Sequence, residues 1–183
     1  MSLKKNIPNF ITSLRFLGTV LIFFLTPFKP AYFTVYTLTG ITDMLDGLIA
    51  RKTNSTSVLG ARLDSVADLC FYSVSLVKLL PILIKLLPRY IWIIVAAILV
   101  TRTISYIIAA VRFHKFASHH TLLNKLTGIF VFAVPYFLVT PIAIYFCFAV
   151  CLIGVLSTTE DLCIHIFSKK YDDNIKSVLL IKR

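Results

Sequence analysis

Acidic side chains are scarce in this chain: 8 Asp and Glu stand among 183 residues, and all charged types together make up only 15%. A soluble domain carries about a quarter charged residues and about half apolar ones, whereas 58% of this chain is hydrophobic. The apolar residues fall in runs long enough for lipid to be their solvent, so a soluble domain of useful size is excluded. Among the 4 cysteines (Cys70, Cys147, Cys151 and Cys163) there is no C-x-x-C pair. In their apolar surroundings they read as small buried hydrophobes, not as a zinc or redox site. Internal repeats and low-complexity tracts are lacking too. No small-residue cleavage site follows Leu25, so Lys4, Lys5 and the apolar stretch that Arg15 interrupts read as a retained membrane helix, not a signal peptide.

What remains is an all-α integral membrane protein, a bundle of about six transmembrane helices in one membrane domain covering residues 1–183. The spans fall at about 10–27, 31–52, 61–85, 89–112, 124–140 and 142–167. Pro27 and Pro30 punctuate the first connection, and Lys52-Thr53-Asn54-Ser55-Thr56-Ser57 is a polar loop. Pro88 opens the fourth span, where a helix tolerates proline, and Pro141 marks a short uncharged turn. The basic tail from Ser168 (168–183) is expected to be a surface helix or disordered.

The 19 Lys and Arg give a net charge of +11. In a soluble protein that would suggest nucleic acid, but these cations sit at the ends of apolar runs. There they suit anionic lipid and the positive-inside rule, so no nucleic-acid partner is expected. They cluster at the N-terminus, in loops two–three and four–five, and in the tail, with Lys85 and Arg89 the weak exception. An even number of spans then sets both termini and loop 52–57 in the cytoplasm, with the protein in the cell membrane.

Four of the eight acids, Asp43, Asp46, Asp64 and Asp68, lie in the second and third apolar spans. An ionised carboxylate at mid-bilayer costs about 2.5 kcal/mol or more unless paired or wetted. Asp43 and Asp46 are three apart and project from one helical face, which Gly47 and Ala50 continue. Gly60, Asp64 and Asp68 recur every four and form a second stripe on the next helix. Antiparallel helices joined by a short loop let the two stripes meet near the cytoplasmic surface. Uncompensated, four such carboxylates repel. Mg²⁺ or Mn²⁺, as one or two hard cations with oxygen ligands, resolves the conflict. A two-metal site suits phosphoryl transfer by steadying both attacking and leaving oxygens. Gly47, Ala50 and Gly60 either admit a flat base or sugar to the backbone or let helices pack closely. Arg51 either forks onto a phosphate or snorkels to the interface. A cation transporter would use the same carboxylates, but has no use for the glycines, Ala50 and Arg51 at these spacings.

Asp43-Met-Leu-Asp46-Gly47-Leu-Ile-Ala50-Arg51, eight residues, Gly60, three residues, Asp64, three residues, Asp68 resembles the CDP-alcohol phosphotransferase signature, D-x-x-D-G-x-x-A-R-x8-G-x3-D-x3-D, at all eight fixed positions. The resemblance extends to length and to a six-helix architecture, and Thr42 stands where members often carry Ser or Thr. It implies that Asp43, Asp46, Asp64 and Asp68 bind two Mg²⁺ or Mn²⁺ ions and that Asp68 is the general base. It implies that Thr42, Asp46, Gly47, Ala50 and Gly60 line the CDP-lipid site, with Arg51 on a phosphate. The implied reaction is attack of an alcohol on the lipid-linked phosphate of CDP-diacylglycerol, releasing CMP, by a homodimer among membrane lipids.

Ile7-Pro8-Asn9-Phe10-Ile11-Thr12 followed by Arg15 resembles the opening of phosphatidylglycerophosphate and phosphatidylserine synthases. Asn9 can alternatively cap the first helix, and Arg15 is expected at the lipid interface or on a substrate phosphate. Arg102, inside the fourth span, needs a buried partner, for which the metal-site aspartates or an anionic acceptor are the candidates. With Arg112 and Lys125 it would form a cationic acceptor pocket, as basic residues of this region do in the family. Topology alone also explains Arg112 and Lys115, and His119-His120 reads as a polar loop. Glycerol 3-phosphate is the leading acceptor, with serine, inositol phosphate and phosphatidylglycerol open. Residues 120–128 depart from the glycerophosphate synthases. Glu160 and Asp161 are expected to face the interface.

Overall fold

The computed structural model describes residues 7–52, 58–113 and 121–168, apart from the side chains of residues 7–11, 43–52, 58–62 and 65. The described residues form six helices and no strand: α1 (Ile7–Phe24), α2 (Pro30–Lys52), α3 (Val58–Leu86), α4 (Arg89–Phe113), α5 (Leu122–Phe137) and α6 (Ala143–Phe167). Each lies within three residues of an expected span. α1 begins at Ile7 with Pro8 in its first turn, where the missing N–H costs nothing. Asn9 lies within α1, and its side chain, expected as an alternative cap, lies outside the described residues. The α1–α2 turn carries Phe28 at φ 66°, a left-handed conformation unusual for a bulky residue.

By length and composition, Val66–Leu86, Arg89–Phe113 and Ala143–Phe167 can cross a membrane, and Thr12–Phe24 and Leu122–Phe137 are shorter apolar helices. Large apolar side chains such as Phe24, Ile93, Val111, Tyr145 and Phe167 point outward, while the buried residues mix apolar side chains such as Ile22, Tyr32, Phe71 and Ile164 with Thr, Ser and a few charged groups. That arrangement fits lipid, where apolar surface gains nothing from helix association and small or polar residues do the joining. Threonine hydroxyls are satisfied locally: Thr37 donates to Phe33 O at 2.6 Å and Thr39 to Val35 O at 2.7 Å, one turn back.

The chain divides into two compact units, Met1–Lys85 and Leu86–Arg183. In the first, α1 packs along α2, with bare Gly18 against the Thr39 side chain. Tyr32 stacks on Tyr36 at 5.8 Å, and Tyr36 meets Phe71 of α3 at 5.1 Å. Lys78, an intraspan cation, lies 5.9 Å from the Phe23 ring centroid. In the second unit α6 packs against both α4 and α5. Its buried face runs through Ala143, Cys147, Cys151, Gly154, Ser157, Thr158, Asp161, Ile164 and His165. Phe146 stacks on Phe137 at 3.8 Å and Phe130 at 5.7 Å. The Thr121 side chain caps α5 by accepting from Asn124 N at 3.2 Å.

Candidate active site

α2 carries Asp43, Asp46, Gly47, Ala50 and Arg51 along its C-terminal half, and Gly60 lies in the first turn of α3. The side chains of the first five, and the surroundings of Gly60, lie outside the described residues. Thr42 is described: its hydroxyl donates to Thr39 O at 2.6 Å, inside its own helix.

Asp64 and Asp68 sit one turn apart on α3, and their carboxylates converge as the four-residue spacing predicts. What joins them is Arg15 of α1. Its Nη1 donates to Asp64 Oδ1 at 2.7 Å and to Asp68 Oδ1 at 2.6 Å. The Arg15 side chain is 1% exposed, whereas Asp64 and Asp68 are 39% and 35% exposed. The guanidinium therefore lies behind the acids and offsets a repulsion that would otherwise splay them. This corrects the expectation that Arg15 turns to the lipid interface or to a substrate phosphate.

The arrangement bears on a metal. One cationic nitrogen lies within 2.7 Å of an oxygen from each acid, so a positive centre already has a place between them. The donors are hard carboxylate oxygens, which suit Mg²⁺ or Mn²⁺ and not soft ions. Among the described residues no group of three or more His, Cys, Asp or Glu is placed to hold a metal ion. Completing such a set would fall to Asp43 and Asp46. The pair present fits a divalent cation without enclosing one.

A second polar cluster fills the interior of the other unit. Arg102 Nη2 donates to Asn124 Oδ1 at 2.6 Å and lies 3.4 Å from Asp161 Oδ2. Asn124 Nδ2 donates to the same Asp161 oxygen at 2.8 Å, and Ser157 Oγ donates to Asn124 Oδ1 at 2.5 Å. Arg102 thus has its intraspan partner, as its cost demanded, but the partners are Asn124 and Asp161. Asp161 is 2% exposed, which corrects its expected place at the interface. It shares the buried face of α6 with Ser157, one turn earlier, and His165, one turn later. His165 Nδ1 pairs with Ser105 Oγ at 2.7 Å, both buried. Arg112 Nη1 donates to the carbonyls of His165 (2.6 Å) and Ile166, and its Nη2 to Ser168 O at 3.4 Å, closing the C-terminus of α6. Lys125 is exposed on the first turn of α5. Lys115, His119 and His120 lie outside the described residues.

Sequence reasoning missed Asn124, Ser157, Asp161 and His165. A signal was available in the spacing Ser157, Asp161, His165, the same period that exposed the acids of α3.

This chain is 41% identical over 80 residues to the CDP-diacylglycerol–glycerol-3-phosphate 3-phosphatidyltransferase of Pseudomonas fluorescens, covering 40% of each. It is 34% identical over 84 residues to the protein of that name in Wigglesworthia glossinidia brevipalpis, covering 43% of this chain and 46% of the relative. The CDP-diacylglycerol–inositol 3-phosphatidyltransferase of Saccharomyces cerevisiae is 44% identical over 63 residues, 34% of this chain and 29% of the relative. The matched stretch thus spans less than half of each curated relative. No solved structure matches. A family model described as CDP-alcohol phosphatidyltransferase matches residues 5–159, from the start of α1 to deep in α6 and across both acid-bearing helices, and this chain belongs to that family.

Proposed function

We propose that this protein transfers a phosphatidyl group from CDP-diacylglycerol to an alcohol and releases CMP. The observation that carries the proposal is the convergence of Asp64 and Asp68 on one cationic centre, within a chain holding all eight signature positions. Asp43, Asp46, Asp64 and Asp68 would hold Mg²⁺ or Mn²⁺. A bound divalent cation would offset charge on the diphosphate and on the departing CMP. Gly47, Ala50 and Gly60 would leave room for the cytidine diphosphate against the helix backbone, with Thr42 beside it and Arg51 forking onto a phosphate, as the signature implies.

Asp68 accepts the proton from the acceptor hydroxyl as the alcohol oxygen bonds to the lipid-linked phosphorus. The bond from that phosphorus to the CMP oxygen breaks, and CMP leaves with the electron pair. Asp68 is 35% exposed, enough for a substrate hydroxyl to approach it. Glycerol 3-phosphate is the proposed acceptor, supported by the Ile7-Pro8-Asn9 opening and by the names of the Pseudomonas and Wigglesworthia relatives. Serine, inositol phosphate and phosphatidylglycerol are the competing alcohols. Arg102, Arg112 and Lys125 are assigned to the anionic acceptor, with Arg112 also closing α6. The same proposal includes a homodimer in the cell membrane with both termini cytoplasmic.

The test incubates purified full-length protein with CDP-diacylglycerol, Mg²⁺ or Mn²⁺ and each alcohol in turn, measuring CMP and the lipid product. Asp68→Asn is expected to abolish turnover while keeping cation-dependent binding of CDP-diacylglycerol. Turnover like wild type in that variant refutes the assignment of the base. No CMP from any CDP-lipid refutes the transferase reading.

A further inference from the structure

Arg15 differs in kind from the acids it touches. Its side chain is 1% exposed, while Asp64 and Asp68 keep more than a third of their surface open. The guanidinium reaches both Oδ1 atoms through a single nitrogen, at 2.7 and 2.6 Å, from the buried side. A guanidinium at that depth requires anionic partners, and two carboxylates one turn apart require a cation. Each offsets the charge of the other. A dication bound to the same two oxygens would sit close to the guanidinium and repel it.

Building on the phosphatidyl-transfer reading, we propose that Arg15 is a positioning residue. It holds Asp64 and Asp68 converged from within the protein until a divalent cation takes over their Oδ1 atoms, so that cation binding exchanges one positive partner for another. The acids are thus arranged before the cation arrives, and part of the cation's binding energy goes into releasing Arg15. A residue that merely tied α1 to α3 would add stability equally with and without cation.

The test uses the full-length protein in detergent without substrate, comparing thermal midpoints in EDTA and in saturating Mn²⁺ for wild type, Arg15→Gln and Arg15→Lys. In EDTA, Arg15→Gln is expected to melt at least about 4 °C below wild type, with Arg15→Lys between them. Mn²⁺ is expected to raise the Arg15→Gln midpoint at least about twice as far as it raises wild type, because no arginine must be displaced. If Arg15→Gln does not fold in EDTA, purification in Mn²⁺ should recover it, and failure in both overturns the proposal. Equal Mn²⁺ increments, an unchanged midpoint in EDTA, or no response to Mn²⁺ in any of the three proteins also overturns it. Release of CMP by wild type is scored separately. Normal release with equal increments sinks the role of Arg15 alone, whereas unequal increments without release sink the transferase reading alone.

Discussion

Replacing Asn124 with leucine isolates the polar cluster of α4, α5 and α6 from the chemistry of the acids on α3. Leucine is close to asparagine in size and favours the helix, so local propensity does not confound the result. The substitution removes three side-chain hydrogen bonds, from Arg102 and Ser157 to Oδ1 and from Nδ2 to Asp161. Interhelical hydrogen bonds in membranes are worth about 0.6 kcal/mol on average and about 1.7 at most, so three of them amount to about 2–5 kcal/mol. Asp161 pushes the value toward the upper end, because at 2% exposure it loses its 2.8 Å contact with Asn124 away from water. At about 2–4 °C per kcal/mol for a chain of this size, the midpoint should fall by about 4–20 °C. The assay is a thermal melt of detergent-purified protein, repeated as a titration with a denaturing detergent. Lys125→Gln, at the exposed neighbouring position, is the control and should move the midpoint by less than about 2 °C. Combining Asn124→Leu with Ser157→Ala should cost less than the sum of the two, since the hydroxyl has already lost this acceptor. A melt of Asn124→Leu within about 2 °C of wild type would refute the claim that this network holds the three helices together.

Two further outcomes follow from contacts elsewhere. A Cβ on Gly18 would run into the Thr39 hydroxyl, whereas one on Gly154 would meet only the flexible tip of Ile98 at 3.1 Å. Gly18→Ala should therefore lower the thermal midpoint by several times more than Gly154→Ala, and equal losses would contradict the close α1–α2 approach. Arg112→Gln removes the guanidinium from the His165, Ile166 and Ser168 carbonyls, which should cost about 1–2 kcal/mol. Hydrogen exchange should quicken at the end of α6 and stay unchanged at its start, and uniform acceleration would count against a cap.

The six helices were legible because each apolar run is bounded by Pro, charge or a polar loop, although by length and composition three of them reach a membrane span and two are shorter. The convergence of Asp64 and Asp68 was legible too, since a four-residue spacing fixes a shared face whatever the tertiary structure. The neighbour facing that stripe was not. Arg15 lies 49 and 53 residues before the two acids, and helical period says which way a side chain points, not what it meets. The same limit applies at Arg102. Cost alone demanded a partner for it, but the choice of Asp161, 59 residues on, depends on how α4 and α6 pack. Asp161 was misjudged because its nearness to the end of a span suggested the interface. Its register with Ser157 and His165 turns it inward instead.

The position of Arg15 along the chain matters for biogenesis. A ribosome makes α1 first, so the arginine emerges 49 residues ahead of Asp64. Each acid would cost about 2.5–3.5 kcal/mol if its helix entered the bilayer centre unaccompanied. Arg15 is itself expensive there, and lies only nine residues into an 18-residue helix. The first helix is thus a marginal inserter, as is the acid-bearing start of the third, and each becomes cheap only once the other has been made. Insertion of α1 and α3 is therefore expected to be coupled, because their charges are tolerable in lipid only when paired.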